Sequence, residues 1–201
     1  MVKANKVKSG LRQKADKAKP FICKYLIVVL ENPSDDKNIG TVIRNVNALG
    51  AEKVYVVDEA RKLPANWESM RENRTLSSTS ASAVKWTFVK RFNDSESCVA
   101  HLEKNGFSSI VTSPHIKGRI NTRLEYGNFT KYKKLAVWFG NESRGISDFA
   151  VKHSEECINI PIHGIIESFN LATSTGIVLY EITKQRRLFQ FELRARSRKK
   201  A

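Results

Sequence analysis

From residue 25 onward, short runs of β-branched and aliphatic residues alternate with stretches whose apolar residues recur at helical spacing. A parallel sheet with crossover helices produces that alternation, so the chain reads as α/β: a mostly parallel sheet flanked by helices. The runs predict strands at 25–30, 53–57, 85–88, 108–112, 135–139 and 157–160. Helices are expected near 39–49, 95–105 and 170–189, with a short turn near 147–153. The first unit is the clearest, because Ile39, Val42, Ile43, Val46 and Leu49 form one apolar stripe and Gly50 closes it. Residues 59–84, with Ser77, Ser78, Ser80 and Ser82, have no dominant period and read as a polar loop region folded back on the surface. Residues 1–20 are Lys-rich and poor in apolar side chains. They read as a basic extension, mobile or helical only against a partner, ahead of a domain at 21–190 and a basic tail at 191–201.

Composition narrows the class. With 201 residues and 41% hydrophobic residues the chain can bury one domain's core. The longest apolar run, from Tyr25 to Leu30, is far short of the roughly 20 residues of a spanning helix, so no membrane association is expected. Lys24 interrupts the only stretch that could resemble a secretory signal. Cys23, Cys98 and Cys157 are far apart and odd in number, which favours a reducing compartment and hence the cytoplasm. The net charge of +15 is concentrated at the ends. Residues 1–24 carry eight Lys and Arg against Asp16 alone, and residues 184–201 carry eight against Glu192 alone. Two basic ends on a near-neutral body suit a polyanion, and nucleic acid is the expected partner.

Three loops carry the candidate chemistry, each following an expected strand, where ligands collect in an open parallel sheet. Residues 31–45 read E-N-P-S-D-D-K-N-I-G-T-V-I-R-N, residues 139–145 read F-G-N-E-S-R-G, and residues 160–174 read I-P-I-H-G-I-I-E-S-F-N-L-A-T-S. No phosphate-binding glycine fingerprint is present, neither G-x-G-x-x-G after the first strand nor G-x-x-x-x-G-K-[ST]. No G-x-S-x-G elbow marks a hydrolase, and His101, His115, His153 and His163 show no zinc-ligand spacing with the cysteines, so no metal site is expected. Taken singly, Asn38 suits a helix N-cap, Arg44 a solvated charge, and Glu142, Ser168 and Asn170 loop polarity or capping.

Taken jointly, in this order and strand context, the three loops resemble the three motifs of the SpoU/TrmH family of SPOUT-class RNA ribose methyltransferases. The resemblance spans about residues 25–187; Phe169, Ile162 and Thr173 are mild departures from the residues usual in the family. It implies a deep trefoil knot over roughly 108–187, a homodimer, S-adenosylmethionine as cofactor and a ribose 2′-hydroxyl of RNA as methyl acceptor. Carried over by position, Arg44 would be the central catalytic residue, Asn38 would orient it and the ribose, Glu142 would position the first-motif side chains or the substrate, and Ser168 and Asn170 would complete the site. Because a guanidinium holds its proton in proteins, Arg44 reads better as an orienting and electrostatic group, with the base left open. The cofactor would lie against Thr112, Gly140, Asn141, Ile160, Ile162, Ser168, Asn170 and Leu171, with Ile162 and Leu171 as apolar walls. Gly140, Gly145 and Gly164 would supply backbone freedom where the chain threads. Short basic ends suit tRNA better than rRNA as the substrate, and a non-catalytic RNA-binding member of the fold is the reading of a different class.

The charge placement makes a prediction of its own. Removing residues 1–19 and 191–201 should leave cofactor affinity nearly unchanged. RNA affinity should fall, with a salt slope shallower by about 0.7–0.9 per lost phosphate contact. Binding isotherms at several salt concentrations check this; parent-like affinity and slope would assign recognition to the body.

Overall fold

The computed structural model describes residues 10–198. Its centre is a sheet of β1 (Cys23–Glu31), β2 (Ala51–Val57), β3 (Phe88–Phe92), β4 (Ser108–Thr112), β5 (Asn121–Arg123), β6 (Leu135–Phe139) and β7 (Cys157–Asn159). The strands lie in the order β3-β2-β1-β6-β4-β7-β5, every neighbouring pair parallel. Around it are α1 (Gly10–Ala18), α2 (Asp36–Leu49), α3 (Trp67–Glu72), α4 (Arg74–Thr79), α5 (Ser95–Lys104), α6 (Asp148–Lys152) and α7 (Leu171–Arg198).

The alternation of side chains along each strand divides the core. Leu26, Val28 and Leu30 of β1 join Val54, Val56, Val137 and the buried faces of α2 and α7, while Ile27 and Val29 join Tyr55, Trp138 and α5 on the other face. Both faces are apolar, and for that reason the central strands read as continuous hydrophobic runs. On the α2 side the helices touch closely: Asn45 Nδ2 donates to Ala172 O at 2.8 Å, tying α2 to the first turn of α7. Asp35 caps α2 by accepting from Lys37 N at 2.8 Å, and Gly50 ends it in the left-handed conformation at φ 73°.

The α/β class and the central strands match the sequence pattern, and the differences have local causes. The third strand lies at Phe88–Phe92 rather than 85–88, because pairing with β2 aligns Lys53 with Phe88 and Val57 with Phe92, while residues Ala83–Lys85 form a 3-10 turn. The region 59–84 contains α3 and α4, started by Asn66 and Asn73, whose side chains accept from Ser69 N and Leu76 N. Each is six residues long and fully buries one apolar residue, Met70 or Leu76, too few for a visible period. Strand β5 is short, polar and at the sheet edge. It is held by Glu156, which is buried and accepts from Thr122 Oγ1 (2.8 Å), Tyr132 Oη (2.6 Å) and Lys131 Nζ (3.0 Å). Burial pushes Tyr132 up to about 12, and the carboxylate adds to it.

The ends also differ from expectation. Residues 10–18 are helical, and residues 1–9 of the expected basic extension lie outside the described residues. The last helix continues past 189 to Arg198, so the described part of the 191–201 tail is an exposed helical extension of α7. Among the described residues of 184–201, Arg186 and Arg187 tie α7 to the body of the fold. Arg186 is buried and donates to the carbonyls of Tyr132 (2.7 Å), Lys133 (3.1 Å) and Phe129 (3.3 Å), and Arg187 donates to Leu49 O at 2.9 Å.

Gly40 marks where α2 meets α4: a Cβ there would lie 1.7 Å from Thr79 Oγ1 and 2.7 Å from Thr79 Cβ. Ala would ordinarily favour a helix interior by about 1 kcal/mol. Here overpacking should win, and Gly40→Ala should destabilise the fold by about 1–3 kcal/mol, read from urea unfolding.

Candidate functional site

Parallel register sets the carboxyl ends of β1, β4 and β6 side by side, with Leu30 beside Phe139 and Phe139 beside Thr112. The loop leaving β6 turns back at once. Asn141 N donates to Gly145 O at 3.0 Å and Gly145 N to Asn141 O at 2.8 Å, with Gly145 at φ 69°. A Cβ on Gly140 would come within 2.2 Å of the Gly145 carbonyl carbon, so this turn admits only glycine at its base. The side chain of Asn141 braces it, accepting from Ser143 N (2.9 Å) and Arg144 N (3.0 Å) and donating to Asn32 O (2.6 Å) in the loop after β1.

That turn aims Glu142 at α2. Its Oε2 accepts from Ser34 N (2.9 Å) and Ser34 Oγ (2.7 Å), and its Oε1 accepts from Asn38 Nδ2 (2.8 Å). Asn38 Oδ1 in turn accepts from Asn170 Nδ2 at 3.1 Å. Asn170 Oδ1 accepts from Ala172 N (2.8 Å) and Thr173 N (3.3 Å), so the same residue caps α7. One unbroken path of hydrogen bonds therefore joins the three loops singled out in the sequence. Partial burial alone would raise the Glu142 carboxyl, but the donors from Ser34 and Asn38 outweigh it and hold it below its ordinary range.

Beside this path lies a cavity of about 620 Å³. Thr112, Gly140, Asn141, Ile160, Ile162, Ser168, Asn170 and Leu171 all line it, as does Phe139. Its wall is mixed: Ile160, Ile162 and Leu171 are apolar, Thr112 Oγ1 is committed to Trp138 O at 2.9 Å, and the Ser168 hydroxyl has no hydrogen-bond partner among the described residues. Among the described residues, no three His, Cys, Asp or Glu side chains converge where they could hold a metal ion.

Three readings of the sequence stand differently in the fold. Asn38 is the third residue of α2 rather than its cap, the cap being Asp35, which leaves the Asn38 amide free for Glu142 and Asn170. No bond joins Asn38 to Arg44, which is exposed on α2, about 9 Å further along the axis, and does not line the cavity. Its guanidinium has no hydrogen bond or ion pair among the described residues. Gly164 has open space around it and no left-handed backbone, so glycine is not demanded there. Two residues missed in the sequence matter. Ser34 supplies two donors to Glu142, and its only signal was its place in the first loop. Glu31, at the end of β1, is buried and accepts from Ser95 Oγ (2.5 Å), Ser147 Oγ (2.6 Å) and Ser147 N (2.8 Å), tying the starts of α5 and α6 to the sheet.

Glu142→Ala should free the Ser34 amide and the Asn38 Nδ2 group at once, leaving Asn38 Oδ1 on Asn170, speeding hydrogen exchange at Ser34 and lowering stability by about 0.5–1.5 kcal/mol. A carboxylate with a lowered pKa contributes its stability above its unfolded value, near 4.3, and loses it as the pH falls through the lower folded value. In an NMR titration the Ser34 amide should therefore shift at a lower pH than an ordinary glutamate carboxyl would impose.

The chain is similar to several known proteins. The tRNA (guanosine(18)-2′-O)-methyltransferase of Aquifex aeolicus is 30% identical over 81% of this chain and 71% of its own length. The corresponding enzyme of Escherichia coli K12 is 26% identical over 86% of this chain and 69% of its own. Among solved structures, the A. aeolicus TrmH/SpoU tRNA modifying enzyme superposes with a TM-score of 0.72 at 23% identity, covering 90% of this chain and 86% of that one. The SpoU methyltransferase AviRb of Streptomyces viridochromogenes, solved in complex with AdoMet, superposes with a TM-score of 0.68 at 22% identity, covering 81% of this chain and 60% of that one. The family model described as the SpoU rRNA Methylase family matches residues 25–180, from the first central strand into the last helix. With all three joined loops inside that span, the chain belongs to the SpoU rRNA Methylase family.

Proposed function

We propose that this chain is an S-adenosylmethionine-dependent methyltransferase that methylates a ribose 2′-hydroxyl in structured RNA, and that the RNA is tRNA. The observation that carries the reading is the hydrogen-bonded path from Glu142 through Asn38 to Asn170 beside the cavity. Support for tRNA comes from the relatives, named for methylating guanosine 18 of tRNA, and from the basic ends. The family description names rRNA, which makes rRNA the second reading. No described helix is long and apolar enough to cross a membrane. The cytoplasm is the proposed location.

The cavity suits the cofactor. Its volume of about 620 Å³ lies within the ~300–1,000 Å³ usual for small-molecule sites. Ile160, Ile162 and Leu171 would take an adenine ring, while Thr112, Gly140, Asn141, Ser168 and Asn170 offer polar and backbone partners. Bound there, S-adenosylmethionine supplies an electrophilic methyl group on a sulfonium. The chain's own task is to hold a ribose hydroxyl in line and to manage its proton. Glu142 and Asn170 fix the Asn38 amide from two sides, so the donor and acceptor it presents do not have to reorganise when substrate arrives. Arg44, without a partner among the described residues, would hold a backbone phosphate or ribose oxygen with its planar fork.

On the same reading, the stretch 108–187 is threaded as a trefoil knot, supported by the placement of β6 between β1 and β4 and by the close approach of Gly140 to Gly145. The chain is proposed to work as a homodimer. Ile165 and Ile166, in the loop 160–174, and Ile177, Tyr180, Leu188 and Phe191, at helical spacing on α7, are exposed, and a second copy would cover apolar side chains of this kind.

Purified protein should bind S-adenosylmethionine and label unmodified tRNA at a ribose 2′-oxygen, located by nucleotide mapping. Labelling on a base would overturn the proposal. Arg44→Ala should lower turnover by about a hundredfold or more while cofactor affinity stays near the parent value, and Arg44→Lys should restore only part of it. Single-turnover rates near the parent's in Arg44→Ala would remove Arg44 from the mechanism.

A further inference from the structure

The charge of the central body is not evenly spread. Residues 61–91 carry seven Lys and Arg against only Glu68 and Glu72, whereas the remainder of 25–183 carries twelve against sixteen acids. Of the seven, Arg61, Lys62, Arg71, Arg74 and Lys85 are exposed. Most of this segment lies in 59–84, which reads from the sequence as a polar surface loop, and it folds as α3, α4 and a 3-10 turn leading into β3.

Strand β3 is one edge of the sheet. At its start Trp86 and Phe88 flank Thr87, which is 3% exposed and turned inward, accepting from Asn47 Nδ2 at 3.2 Å. Trp86 is 55% exposed and Phe88 39%, so two large rings face outward from one point of the chain. Behind them Trp67 is fixed: its Nε1 donates to Thr87 O at 3.0 Å, its ring lies 5.5 Å from Phe88, and the Arg71 guanidinium sits 4.9 Å over it. Leaving two such rings in water forfeits hydrophobic stabilisation that burial would provide. Apolar packing alone does not account for cations beside them. Aromatic faces with interleaved Arg and Lys are what single-stranded nucleic acid needs, since every base offers a π face and every linkage a phosphate.

We propose that the β3 edge, with Trp86 and Phe88 as stacking faces and Arg71 and Lys85 as phosphate contacts, holds an unpaired nucleotide of the RNA substrate. The proposal rests on the RNA methyltransferase reading and assigns a second contact region. Phe88 is paired with Lys53 at the amino ends of the parallel strands, the end opposite the cavity. A base bound there lies away from the reacting ribose, so the platform contributes to RNA affinity rather than to the methyl-transfer step. It also makes the body, and not only the basic ends, part of recognition.

Steady-state kinetics with an unmodified tRNA transcript and the full chain test this. Trp86→Ala should raise the RNA KM by about tenfold, mid-range for loss of one stacked base, with most of the loss in KM rather than kcat and with S-adenosylmethionine affinity retained. Trp86→Phe should recover most of it. The salt dependence should separate the roles: Trp86→Ala keeps the parent slope, whereas Lys85→Ala makes it shallower by about 0.7–0.9. A parent chain that methylates the transcript while Trp86→Ala keeps its KM would overturn the platform and leave the activity standing. A parent chain that neither binds nor methylates RNA would overturn both. A change in sedimentation of Trp86→Ala with unchanged RNA affinity would reassign the edge to a protein contact and overturn the proposal.

Discussion

The parallel register of β1, β6 and β4 is the constraint from which the candidate site follows. Leu30, Phe139 and Thr112 stand side by side across three buried strands, so the loops leaving those strands begin within about 10 Å of one another. Register here is strongly specified, since a one-residue slip of β1 would exchange the Leu26, Val28 and Leu30 face for the Ile27 and Val29 face against cores of different shape. Given that alignment, the tight turn at Gly140–Gly145 needs only to project one carboxylate across the gap. Glu142 then gathers Ser34 and Asn38, and Asn38 reaches the cap of α7.

Buried charged groups hold the outer layers to this frame. Glu31 gathers the starts of α5 and α6, Glu156 fixes the edge strand β5, and Arg186 fastens residues 129–133 to α7. Each is buried with several partners, the condition under which a buried charge is tolerated. The chain thus uses apolar packing for the central strands and α2, and adds polar clamps where α5, α6, β5 and residues 129–133 meet that frame.

Charge has a similar division of labour. Part of the basic character near the carboxyl end belongs to the fold, through Arg186 and Arg187, while Arg194 and Arg196 stand exposed on the last turns of α7. The cations of 61–91 add a third basic region on the body, next to exposed aromatic rings. A counterion-release mechanism draws on all exposed regions together, whereas base stacking is confined to the β3 edge.

The amino-acid sequence by itself determined the α/β class, five of the central strands to within two residues, α2 with its closing Gly50, and the three loops that carry Asn38, Glu142, Ser168 and Asn170. Those features are written in local periodicity and in dense polar loops after apolar runs, which need no knowledge of distant partners. What only the tertiary structure decided involves residues whose meaning comes from a partner far along the chain. Ser34 and Glu31 carry no local signal, yet one meets Glu142 and the other Ser95 and Ser147. The position of β3 follows its pairing with β2, and β5 exists because β7 and Glu156 hold it. Likewise Asn38 reads locally as a cap, and only the folded chain shows Asp35 in that place and Asn38 bonded to residues 104 and 132 positions away. Hydrogen bonds between loops depend on three-dimensional proximity, and a linear pattern of apolar positions records which surfaces are buried but not which polar groups they bring face to face.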